Sequence, residues 1–122
     1  MRIERDAALN SKVSDDPEFA ALWVKGRGDF NTLEEASQIR LMFFNRSVIM
    51  HWHNMFLLHQ KKLLQEEDWS EMVWLIENLA GTRQDLRAAW SMFRNSFGAS
   101  FQTFMDTEIA VAEKLAANTN PT

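Results

Sequence analysis

The chain has 122 residues and a mass of 14.2 kDa, with 46% hydrophobic and 25% charged residues, four Gly, two Pro and no Cys. This length fits one domain with a real core, and the apolar fraction excludes an intrinsically disordered chain. The lack of Cys excludes a disulfide framework or thiolate metal site, Gly and Pro are too few for a sandwich or barrel, and a net charge of −4 argues against nucleic acid as a partner.

Residues 1–14 read as an N-terminal arm or short helix. Asp15-Asp16-Pro17-Glu18 is a helix start: Asp16 caps, Pro17 suits the first turn and Glu18 favours the positive end of the dipole. Phe19, Leu22 and Trp23 give this helix one apolar face, and Gly26 and Gly28 end it. Thr32 and Glu35 have capping-box spacing, and no Gly or Pro follows until Gly81. The spacing predicts one long helix over about 33–64. It carries two apolar stripes, Ile39/Met42/Ile49/Phe56/Leu63 and Leu41/Phe44/Val48/Trp52/Met55. A helix apolar on two sides is expected to be a central spine with neighbours on both.

Gln65-Glu66-Glu67-Asp68 is the expected break before a helix with Trp69, Met72, Val73, Ile76 and Leu79 on one face, closed by Gly81. Thr82, with Asp85 three residues on, is the expected cap of the next helix. There Leu86, Ala89, Trp90, Phe93 and Phe97 form the stripe, and Arg83, Arg87 and Arg94 lie away from it. After Gly98, Ser100 is the expected cap of a last helix through Phe101, Phe104, Met105, Ile109, Ala112 and Leu115. Residues 118–122 read as a flexible tail. No alternation of period two is long enough for a strand. The fold class is therefore all-α: an irregular antiparallel bundle of four to five helices, with a single domain over 15–117.

Asp16-Pro17-Glu18-Phe19-Ala20-Ala21-Leu22-Trp23, followed by Gly26, Leu33, Glu35 and Arg40, forms one part of a wider pattern. Trp52, Leu63-Leu64, Glu67 and Trp69 form a second, and Gly81-Thr82-Arg83, Trp90 and Phe93 to Phe104 a third. In this order, over about 16–106, they resemble the soluble helical domain of a loose group of uncharacterised bacterial proteins. Members of that group often carry membrane-spanning segments ahead of the domain. The resemblance implies the helical fold and a cytoplasmic or membrane-associated setting, and it carries no catalytic residue across. This chain has no such apolar span, so an anchor is expected either to precede it in a longer form or to be missing from this member.

The chemistry-bearing motifs are few. His51, His53 and His59 with Glu66, Glu67 and Asp68 form the one metal-like cluster, but His51 and His53 lie about 200° apart on a helix and no His-Glu-x-x-His occurs. No Gly-x-Ser-x-Gly elbow surrounds a Ser, and Gly26-x-Gly28 lacks the third Gly of a dinucleotide loop. No catalytic residue, metal ligand or cofactor is assigned. Arg46 and His53 fall on an apolar stripe and need partners, with Glu71 or Glu77 expected for Arg46. The five Trp, nine Phe and seven Met are the strongest functional signal, because aromatic and Met side chains left outside a core form partner-binding surfaces. The expected function is a non-enzymatic protein-interaction module that binds a protein partner or itself, as the soluble part of a membrane-associated protein. The alternative is a small-molecule- or metal-binding bundle with a pocket near Trp52, Met55 and Phe56, with His53 or Arg46 pointing in. Trp69 and Trp90 complete the candidate residues.

Overall fold

The computed structural model describes residues 15–119; the proposed arm over 1–14 and the end of the tail, 120–122, lie outside the described residues. The described residues form five α-helices and no strand: α1 (Pro17–Gly26), α2 (Glu35–Gln60), α3 (Glu66–Ala80), α4 (Gln84–Phe93) and α5 (Ala99–Thr119). Single 3₁₀ turns at Phe30–Thr32 and Arg94–Ser96 complete the order. This is the expected all-α bundle with one long helix.

Asp16 caps α1 as expected, its Oδ1 accepting from Phe19 N–H at 3.0 Å. Three other expected caps are corrected. Thr32 sits in the 3₁₀ turn, donating its hydroxyl to Asp29 O at 2.7 Å, and α2 begins with Glu34 at the N-cap and no side-chain cap bond. Thr82 Oγ1 turns back to Asn78 O at 3.0 Å, leaving Arg83 at the N-cap of α4. Ser100 lies inside α5, which starts one residue earlier and continues through positions 118 and 119 of the expected tail. In each case a hydroxyl able to cap is drawn to a preceding carbonyl or overtaken by the helix.

The long helix stops at Gln60 rather than near 64. Lys62 N–H bonds His59 O at 3.0 Å, Leu63 N–H bonds Leu58 O at 2.9 Å, and Lys62 takes φ 60°. That pair of bonds is a Schellman ending, with a lysine in the left-handed position glycine usually fills. It turns the chain so that α3 comes back along α2, where the Trp69 ring stacks on His59 with centroids 3.8 Å apart.

The main core lies between α2, α3, α4 and α5 and includes Ile49, Trp52, Met72, Ile76, Trp90, Phe101 and Met105. A smaller one gathers Phe19, Phe30 and Leu41 under α1. Helix α3 packs chiefly on α5 and α2 on α4. Helices α3 and α5 run side by side, from Trp69 against Phe104 to Gly81 against Ala112. A Cβ on Gly81 would lie 2.4 Å from Ala112 O, so glycine permits that approach.

Candidate interaction surface

A buried polar network joins α1, α2 and α4. Arg83 and Asp85 are 2% and 0% exposed, and the guanidinium grips the carboxylate through Nε to Oδ1 at 3.1 Å and Nη2 to Oδ2 at 3.0 Å. Arg83 also donates to Trp23 O at 2.6 Å and lies 3.4 Å over the Trp23 ring. Asp85 accepts from Asn45 Nδ2 and from Leu86 N–H, each at 2.9 Å. The cluster ties α1, α2 and α4 together, and its burial keeps it from acting as a reactive site. It corrects the expectation that Arg83 lies away from the packed face: the guanidinium of a helix N-cap reaches back to α1, a contact periodicity cannot show.

The sequence-predicted site residues divide. Trp52, Met55, Phe56 and Trp90 are buried in the main core. The Trp90 indole N–H donates to Asp106 Oδ1 at 2.9 Å, and Arg94 clasps the same carboxylate at 2.7 Å. Trp69 is half-buried between His59, Phe56 and Phe104. The pocket expected near Trp52, Met55 and Phe56 is filled by packing. Surface grooves of about 390–550 Å³ among the described residues include ones between α1 and the start of α2 (Leu22, Leu33, Arg40), at the α2–α3 turn (His59, Leu64, Glu66) and along α5 (Ala110, Val111).

Arg46 and His53 find aromatic partners on separate elements rather than Glu71 or Glu77. The Arg46 guanidinium lies over the Phe93 ring at 5.4 Å, and His53 meets the edges of Phe97 and Phe101 at 5.1 and 4.9 Å. Partial burial lowers the His53 pKa, which favours the neutral ring. Glu77 instead faces Glu108 on α5, whose carboxyl is pushed up to about 7 by burial and by the neighbouring Glu77. His59 pairs with Glu66 at 3.3 Å. Among the described residues no group of three His, Asp or Glu converges to hold a metal ion.

The outward side of α2 is where apolar surface is left over. Ile39, Phe43, Met50 and Leu57 are 41–57% exposed. With Arg46 and His53 they recur at spacings of four and three residues along the helix, which places all six on one face. The two stripes read on α2 are both packed over most of their length, Met42, Ile49 and Phe56 of one and Leu41, Phe44, Val48, Trp52 and Met55 of the other, so α2 is the central helix expected and the exposed row is a third face. Ile39, expected beside Ile49 and Phe56, faces outward instead. Trp74 on α3 is also exposed, at 62%, and sequence reasoning passed over it although it falls opposite the Met72/Ile76 stripe. The exposed position off a helical stripe was the available signal in both cases.

Comparison with protein-family models finds no match, and comparisons with curated proteins and with solved structures find none either.

Proposed function

We propose that the chain is a non-enzymatic protein-interaction domain whose working surface is the outward face of α2. One observation carries this reading: four large apolar side chains, Ile39, Phe43, Met50 and Leu57, stay substantially exposed in one row, while the larger Trp52 and Trp90 are fully packed. A continuous apolar row on a soluble domain costs solubility unless a partner covers it, and aromatic and Met side chains are favoured at such contacts. The setting implied by the sequence resemblance, a bacterial protein held near a membrane, goes with this proposal. No helix among the described residues is long and apolar enough to cross a bilayer.

Site-specific photo-crosslinking in cells tests it. A crosslinkable residue at Phe43 or Met50 gives a discrete protein adduct, and one at the exposed Glu113 on α5 does not. Absence of an adduct from either α2 position overturns the reading.

A further inference from the structure

The face on α2 has a symmetry that bears on what covers it. Taking the level of Val48 as centre, Ile39 and Leu57 are equally far on either side, as are Phe43 and His53, and Arg46 and Met50. Beyond them stand exposed Glu35 at the start of the helix and exposed Lys61 at its end, again equidistant from Val48. If two copies of α2 lie antiparallel across a two-fold axis at that level, Ile39 meets the partner's Leu57, Phe43 meets the partner's His53, and Arg46 meets the partner's Met50. Glu35 then comes level with the partner's Lys61 at both ends of the seam. A two-fold interface requires this reciprocity, since each patch must complement itself.

We propose, building on the α2 reading above, that the partner is a second copy of this chain, docked antiparallel along α2. Charge decides the direction. A parallel pair would bring Glu35 against Glu35, Arg46 against Arg46 and Lys61 against Lys61, whereas the antiparallel pair replaces both end repulsions with attractions. The centre tolerates Arg46 because its guanidinium is drawn over Phe93 of its own chain, leaving the alkyl stem to pack on Met50. The seam spans about 27 Å from Ile39 to Leu57. Phe93, in contact with Phe43 at 5.9 Å, widens it on the α4 side.

The same end charges also suit the dipole of α2 itself, so the test must separate the two roles. Light scattering of the wild-type chain should give twice the 14.2 kDa mass. The variants E35K and K61E, each altering one exposed position, should each weaken the dimer about fivefold, by loss of two surface ion pairs. Mixing the two variants should restore association as a heterodimer, which a dipole effect within one helix cannot do. The chain lacks Cys, so oxidation of mixed I39C and L57C chains should give the I39C–L57C cross-link. A chain that stays monomeric at every concentration, no restoration on mixing, or a dominant I39C–I39C cross-link would each overturn the proposal. A monomer that still gives photo-adducts of another mass from Phe43 in cells overturns self-association alone. A monomer without adducts overturns the broader α2 reading with it.

Discussion

Gly26 stands against Asp85 so closely that a Cβ added to it would lie 2.7 Å from Oδ2 of the buried carboxylate and 2.9 Å from Leu41 Cδ1. The last residue of α1 is thus bare because α4 lodges its Arg83–Asp85 pair there. Since the backbone at Gly26 is helical, the constraint is space and not conformation. Gly26→Ala should destabilise the fold by about 2 kcal/mol or more in urea unfolding, through overpacking against a fixed ion pair. Gly28→Ala, where no atom lies within 4 Å, should change stability by about 0.5 kcal/mol or less.

Removing one member of the pair should cost more. Asp85→Ala leaves the Arg83 guanidinium buried without its carboxylate and strips Asn45 and Leu86 N–H of an acceptor. The expected loss is about 3–5 kcal/mol, read as a fall in the thermal midpoint. Arg83→Met/Asp85→Leu should recover part of that loss, because no charge is then stranded. An equal loss in both variants would show that the ion pair is not the source.

Lys62 offers the opposite sign. Its φ of 60° is a strained setting for a residue with a Cβ, and its side chain is exposed. Lys62→Gly should raise stability by about 1 kcal/mol, with the helical circular-dichroism signal unchanged. In the dimer assay the same variant keeps both seam charges, Glu35 and Lys61.

Stability should fall with rising pH across the titration of Glu108. Its carboxyl lies near 7 in the folded chain against an ordinary 4.5, so the folded state binds the extra proton between those values. The stabilisation is full below about 4.5 and lost as pH passes about 7. Solvent around this half-exposed pair cuts the effect to about 1 kcal/mol. Glu108→Gln should therefore flatten the decline in thermal midpoint between pH 5 and 8 and raise the midpoint at pH 8. An unchanged slope would place the titration elsewhere.

The sequence by itself determined the helical class, the Asp16 cap and most of the core. The α3 and α5 stripes, Trp52 and Trp90 all went where helical periodicity put them, because burial of one face follows from 3.6-residue spacing. The missed caps were local: Thr32 and Thr82 turned to carbonyls three and four residues back, and α5 began one residue before Ser100. Tertiary structure alone decided the rest. Arg83, polar and off the stripe, was drawn inside by Trp23, 60 residues earlier, where its pair with Asp85 is sealed against α1, and no local pattern records that approach. Both stripes read on α2 are covered over most of their length, and Phe43, Met50 and Leu57 lie on neither. Only the positions of the other described helices left the Ile39-to-Leu57 side uncovered and made it the surface on which function is proposed.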